Sequence, residues 1–445
     1  MLSRQQMLEL LSAMGVDLPP KTKLPDAELD KRLTKALDSA QYISRVVPTT
    51  PFDPNTLPAW SSSQNGKKER IGEAIKRHNV HEAGIVATSK AAGVEPFPLY
   101  ANPFQDLRQT MMALGMACDN PHAGSILPLI IQDAEKEVAG IVMRIVDVRM
   151  FDGETPVLVV FYRHDVAGSA SLMETVAWVQ DHVNADRPIH NVTATLSEQE
   201  MLLRVLKQNS KRLAKSYRPN RTATESGFTL SFLLPIGPLT AKDMAKLNAN
   251  NGCTVCGDPA KSKCSRCAVM RYCSAVCQKE DWKAHRTLCK SWETATWHRI
   301  SFTTRGCRPN GLFISNISRF DIVQHGDIFK NNDIASFSDP SPPQNTHGEM
   351  PFIVKVQVLT KDTRGPEELF NTSRDPKVEH LMFYDKNRTL DVLVLRAPET
   401  EADYGKMAEL VRRQGNPAKG FVWALRSGDW SIDVCMDSFP EPQKW

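Results

Sequence analysis

Seven cysteines and one histidine stand close together in the order Cys253-x2-Cys256-x7-Cys264-x2-Cys267-x5-Cys273-x3-Cys277-x7-His285-x3-Cys289. The chain has ten cysteines in 445 residues, so this 37-residue window should hold roughly one by chance. Thiolate and imidazole are the ligands of tetrahedral zinc, and eight such donors saturate two ions. Cys-x2-Cys makes a tight knuckle that aims both thiolates at one point. Cys273 and Cys277, and likewise His285 and Cys289, are four residues apart, so each pair lies on one face of a helical turn. The donors therefore come as four prepared pairs, two pairs to an ion. Spacing alone does not choose between sequential and interleaved pairing.

Other chemistries fit this pattern less well. Disulfides need an oxidising compartment, and seven cysteines cannot all pair. Inert buried thiols have no reason to fall into pairs at ligand spacing. A catalytic zinc keeps one coordination position open, whereas eight donors close both sites. Structural zinc is the expectation, with two Zn2+ as cofactors. The large apolar residues of the window are Val255, Val269, Met270, Tyr272, Val276, Trp282 and Leu288. Below about 40 residues a hydrophobic core seldom suffices, so the metal must contribute folding free energy.

The string Arg271-Tyr-Cys-Ser-Ala-Val-Cys-Gln-Lys-Glu-Asp-Trp-Lys-Ala-His285-Arg-Thr-Leu-Cys289, after two Cys-x2-Cys pairs, resembles a MYND-type zinc finger. All eight ligand positions agree, while a RING finger would end on a further Cys-x2-Cys that is absent here. The resemblance implies a cross-brace. One zinc would take Cys253, Cys256, Cys273 and Cys277, and the other Cys264, Cys267, His285 and Cys289. It also implies an adaptor that binds proline-rich peptides, often with a Pro-x-Leu-x-Pro core, in transcriptional repression. The family's groove positions correspond here to Ser265, Gln278 and Trp282. A tryptophan face can pack on the proline rings of a pre-extended peptide, and Gln278, one helical turn earlier, can bond a peptide amide. Met270–Ser274 offers an edge strand. The competing reading makes Trp282 the main hydrophobic mass of a very small core.

Three further patterns bear on function. Arg204, Lys207, Lys211, Arg212, Lys215, Arg218 and Arg221 form a basic stretch over 204–221 that would suit phosphate contact or nuclear import, or simply a solvated helix face. The finger is a poor phosphate binder, because its ligand thiolates offset its basic side chains and leave a net charge of about +1. Nucleic acid is thus the alternative partner rather than the expected one. Cys307-Arg-Pro-Asn310 matches only the end of the SET methyltransferase signature Asn-His-Ser-Cys-x-Pro-Asn, and it lies too close to Cys289 for that architecture. No catalytic residues are assigned. His164-Asp165 reads as a strand-end turn, and Cys118, Cys307 and Cys435 as isolated thiols.

The elements that must carry these residues follow from periodicity and punctuation. Helices are expected at 4–14, 30–41, 69–77, 105–117, 171–184, 197–216, 239–249 and 399–413. The helix at 197 opens on an apparent Ser197-x-x-Glu200 capping box, and Thr240 caps the helix at 239. Strands are expected at 126–131, 138–149, 156–162, 227–234, 352–360, 379–384 and 390–396, with a hairpin over 420–426 and 430–436. Soft stretches rich in Pro, Ser and Asn lie at 46–68 and 331–349. The resulting organisation is α+β and multi-domain: an N-terminal helical segment at 1–45, a linker at 46–68, an α/β region at 69–250, a small two-zinc finger at 253–289, and a C-terminal α+β region at 290–445. Neither flanking region carries a recognisable family motif. Hydrophobic residues at 41%, charged residues at 24% and a net charge of +4 are ordinary globular values, which excludes wholesale disorder and a polyelectrolyte grip on nucleic acid. With no apolar run of membrane length and no leader-like start, an intracellular residence, nuclear or cytoplasmic, is expected.

Overall fold

The computed structural model describes residues 2–18, 22–47, 50–60, 70–77, 79, 102–119, 127–135, 140–165, 171–183, 189–248, 252–303, 305–307, 313–315, 342–359, 380–415 and 418–443. These form two compact units: residues 1–14 with 26–239, and residues 15–25 with 240–445. Among the described residues no helix is long and apolar enough to cross a membrane.

The first unit contains α1 (Arg4–Ala13), α2 (Asp26–Ala40), α3 (Ile43–Val46), α4 (Ile71–Arg77), α5 (Pro103–Cys118), β1 (Leu127–Gln132), β2 (Ile141–Phe151), β3 (Thr155–His164), α6 (Ser171–His182), β4 (His190–Thr193), α7 (Leu196–Ser210) and β5 (Thr229–Leu233). The strands form one sheet in the order β4-β1-β2-β3-β5, antiparallel except for β4 on β1. β3 lies between β2 and β5, and Thr155 to Tyr162 is buried on both faces, which explains the unbroken apolar run in that strand. The three-residue turn from β2 to β3 has Asp152 and Gly153 at positive φ, closed by the Glu154 amide donating to the Phe151 carbonyl at 3.1 Å. A buried ion pair, Arg144 to Glu225 at 2.5 Å, lies against Trp178.

Two expectations are corrected here. The capping box of α7 is Thr195-x-x-Glu198, not Ser197-x-x-Glu200: the Thr195 hydroxyl accepts from the Glu198 amide, and the Glu198 carboxylate accepts from the Thr195 amide at 2.7 Å. Both tetrapeptides fit the local rule, but β4 ends at Thr193, so the chain turns helical at the earlier box. The helix also stops at Ser210 rather than 216, because Arg212 and Ala214 exchange backbone hydrogen bonds with Phe52. That same Phe52 is buried, edge-on to Phe151 at 5.2 Å and to Phe232 at 5.0 Å. The described part of 46–68 thus packs along the sheet despite its linker composition. Proline removes a backbone donor, and with it regular hydrogen bonding, without preventing burial.

The second unit contains α8 (Ala241–Asn248), β6 (Ser262–Lys263), β7 (Arg271–Tyr272), α9 (Ala275–Glu293), β8 (Trp297–Ser301), β9 (Arg305–Cys307), β10 (Phe313–Ser315), β11 (Phe352–Leu359), β12 (His380–Asp385), β13 (Asp391–Leu395), α10 (Glu401–Arg412), β14 (Lys419–Gly428) and β15 (Ser431–Cys435). Six strands form an antiparallel sheet in the order β13-β12-β11-β14-β15-β8. Its core takes Val354, Val356 and Val358 from β11 and Tyr404, Met407, Ala408 and Val411 from α10, the faces that period 2 and period 3.6 select. Thr240 caps α8, its hydroxyl accepting from the Asp243 amide at 3.1 Å. Most of the 331–349 stretch, and Arg308, Pro309 and Asn310 of the SET-like run, lie outside the described residues.

Candidate metal centre

The finger hangs on two knuckles, a two-rung hairpin and one helix. The first knuckle closes where the Gly257 amide donates to the Cys253 carbonyl at 2.8 Å, with Gly257 at φ +78°. Just before it, Gly252 sits at φ +49°, where a Cβ would lie 2.1 Å from the Asp258 carbonyl oxygen. Only glycine fits that approach. In the second knuckle the Ala268 amide donates to the Cys264 carbonyl at 2.9 Å. The β6–β7 hairpin then swings the chain back, and the Ser274 side chain caps α9 by accepting from the Cys277 amide.

This path gathers the eight donors into two groups, Cys253, Cys256, Cys273 and Cys277 in one and Cys264, Cys267, His285 and Cys289 in the other. Within each group the donor atoms lie within 4.8 Å of one another. Sulfur–sulfur separations are 3.4 Å for Cys256–Cys273, 3.6 Å for Cys273–Cys277, 3.8 Å for Cys277–Cys256 and 3.7 Å for Cys264–Cys289. The Cys267 sulfur is 3.5 Å from Nε2 of His285. A tetrahedron with Zn–S of about 2.3 Å and Zn–N of about 2.0 Å has edges of about 3.8 and 3.5 Å. Donor type and spacing both fit zinc, and they fit two closed sites.

Electrostatics point the same way. Burial raises the Cys253 thiol, but the backbone amides of Cys256, Cys273 and Val255 outweigh it and hold Cys253 at about 7. Cys264 is likewise brought to about 6 against the effect of burial, by the amides of Cys267 and Arg266 and by His285. Their neighbours go the other way: burial first, then the adjacent sulfurs, push Cys289 up to about 12 and raise Cys256 and Cys277. Crowded thiols cannot all ionise unless a dication shares their charge. When bound, zinc supplies that charge and a rigid tetrahedral node.

The core of the finger is mostly ligand. Of its seven buried members, Cys253, Cys256, Cys264, Cys277 and Cys289 are donors, leaving Val255 and Tyr272. Tyr272 is fully buried, and its hydroxyl donates to Asp281 at 2.6 Å. Trp282 is only half-buried, packed on the rim of this cluster and edge-on to His285 at 6.1 Å. The main aromatic filler is therefore Tyr272, which frees one face of Trp282. Ser265, Gln278 and Trp282 come together on the walls of one groove of about 340 Å³ beside Cys264. Gln278 and Trp282 are adjacent turns of α9, and Ser265 arrives on the second knuckle.

Several supporting residues carry no local signal in the sequence. Thr22 and Lys23 both donate to the Cys256 carbonyl, at 2.7 Å from the hydroxyl and 2.9 Å from the amide, across more than 230 residues of chain. α9 runs past the last donor, so Trp292 meets Trp423 of β14 edge-on at 5.3 Å and anchors the finger on the sheet. Arg266 on the second knuckle is paired with Glu293 at 2.5 Å. Glu349 accepts from Lys263 at 3.1 Å and from Arg271, joining the hairpin to the turn that precedes β11.

The basic stretch at 204–221 is largely committed to structure. Arg204 pairs with Asp30, Arg212 with Asp38 at 2.6 Å, and Arg221 donates to the carbonyls of Glu225, Ser226 and Phe228 over the Phe161 ring. Lys207, Lys211, Lys215 and Arg218 remain exposed on the surface, too sparse for a phosphate-tracking stripe. His164-Asp165 ends β3, with Asp165 bound to Arg163 at 2.8 Å.

Comparison with known proteins bears on the finger. Residues 253–289 match the family model described as MYND finger, and the segment is a MYND-type zinc finger. Ubiquitin carboxyl-terminal hydrolase 19 of Arabidopsis thaliana is 51% identical over 43 residues, 9% of this chain and 6% of that protein. Tudor domain-containing protein 1 of Oryzias latipes is 48% identical over 44 residues, 10% of this chain and 4% of its own. Protein CBFA2T2 of Homo sapiens is 42% identical over 41 residues, 9% of this chain and 7% of its own. The chain thus matches only a few per cent of each relative's length. The hydrolase name belongs to that relative, and the shared segment, the finger, is not catalytic. No solved structure matches the chain.

Proposed function

We propose that Cys253, Cys256, Cys273 and Cys277 hold one zinc, that Cys264, Cys267, His285 and Cys289 hold the other, and that the scaffold so formed presents a groove for a proline-rich segment of a partner protein. MYND fingers are protein-interaction modules, which gives the general role. The observation that carries the finer reading is the shared groove of Ser265, Gln278 and Trp282, with Trp282 half-buried and Tyr272 filling the core in its place. A tryptophan face gives a proline ring a flat apolar contact, and a pre-extended peptide loses little entropy on docking. Transcriptional regulators as partners, and a nuclear or cytoplasmic residence, extend this reading on the family resemblance alone.

The test is Trp282→Ala in the full chain. Zinc content should stay at two equivalents and the circular dichroism should be unchanged. Affinity for a synthetic peptide with a Pro-x-Leu-x-Pro core should fall at least tenfold, since a buried aromatic anchor is worth about 2 kcal/mol or more. Equal binding by the variant and the parent protein would defeat the groove assignment.

A further inference from the structure

The groove has a sign as well as a shape. Its rim carries Arg266 and Lys279, and no carboxylate lines it. The acids nearest in sequence are each engaged: Glu293 with Arg266 at 2.5 Å, Asp281 with the Tyr272 hydroxyl at 2.6 Å, and Glu280 with Lys23 at 3.6 Å. Lys279 is exposed and has no ion pair among the described residues. Ala275, the first residue of the 19-residue helix α9, also lines the groove, so the positive end of that helix adds to the field there.

Two charges oppose this, and the first is that of the four thiolates and Zn2+ of the first metal group, about −2, whose Cys273 and Cys277 flank Ala275. Three thiolates, one imidazole and Zn2+ give the second metal group a net charge of about −1. Its Cys264 touches the groove but is only 2% exposed, so that charge sits under the floor, while the Lys279 ammonium stands at the rim in solvent. An anion is disfavoured inside the groove and favoured at its mouth.

We infer that the groove selects a proline-containing peptide flanked by an acidic side chain, whose carboxylate meets Lys279 at the rim. This rests on the peptide reading above and adds to it a class of partner, in which the apolar core gives affinity and the acid gives choice. The contact is exposed, so its size is that of a surface ion pair, about three- to fivefold in Kd, and salt weakens it.

The experiment uses the full zinc-loaded chain and four fluorescent peptides sharing the core Pro-Ala-Leu-Ala-Pro. One carries an Asp-Asp pair before the core, one carries it after, and two carry Asn-Asn in the same places. One acidic peptide should bind about three- to fivefold tighter than its amide twin at low salt, and the advantage should shrink at about 0.5 M salt. Lys279→Gln should abolish the preference, and Lys279→Glu should reverse it. Equal binding of acidic and amide peptides, or a preference unmoved by Lys279→Glu, overturns the inference while leaving the peptide reading intact. Failure of all four peptides to bind overturns both.

Discussion

The finger and the six-stranded sheet belong to one unit and are held by opposite means. In the finger five of seven buried core members are cysteines that belong to the metal groups. In the sheet the core is a run of Val, Leu, Ile and Phe from its strands, closed by one helix. The finger stakes its fold on a few strong directional bonds at two points, while the sheet spreads it over many weak contacts. The first gives a rigid small surface in few residues and fails all at once when its ions leave. The second needs length but yields gradually to any single change.

Chelation should separate the two regions most widely. Structural zinc contributes about 10–16 kcal/mol of apparent binding free energy at neutral pH, far more than two apolar core residues can replace. Treatment with a strong chelator should open 253–289 to protease, while the sheet keeps its far-ultraviolet dichroism. A metal-free finger as protected as the loaded one would remove the basis of the contrast.

The converse cut falls on the sheet. Phe383 of β12 is fully buried, and Phe383→Ala should cost about 3–5 kcal/mol, read as a lower denaturation midpoint. Zinc content should remain at two equivalents. Loss of zinc in step with the midpoint would mean that the finger cannot hold its shape without the sheet under it.

Acid should sharpen the comparison with the smallest effect. The finger's ligands must be deprotonated to bind metal, so zinc should leave as pH falls below about 5–6. The sheet has its own acid-sensitive group in Asp385. Burial raises its carboxyl, but the His347 ring, bonded at 2.8 Å, and Thr389 outweigh burial and hold it below the ordinary value. A depressed folded value stabilises the sheet above the unfolded carboxylate pKa of about 3.9, and the benefit disappears as pH falls through the lower folded value. Zinc release should therefore precede the acid loosening of the sheet, and Asp385→Asn should flatten only the second step. A single coincident transition would join the two regions into one cooperative block.

Much of the frame is legible in the order of the amino acids. Val354, Val356 and Val358 alternate because a half-buried strand must, and Tyr404, Met407, Ala408 and Val411 share a face because a helix repeats every 3.6 residues. Local pattern falls short where two signals of equal strength compete. Thr195 and Ser197 both head a valid capping box, and only the end of β4 decides between them. Phe52 reads as linker because its neighbours are Pro, Thr and Asp, yet Phe151 and Phe232, far along the chain, bury it.

For the site the division is similar. Eight donors at ligand spacing set the metal, its number and its closed coordination, since bond type and donor count are properties of side chains. Spacing left the alternation of the groups open and only the family resemblance implied it, while the half-burial of Trp282 and the grip of Thr22 on the Cys256 carbonyl came only with the folded chain. Each depends on which distant segments meet, and local spacing carries no record of that.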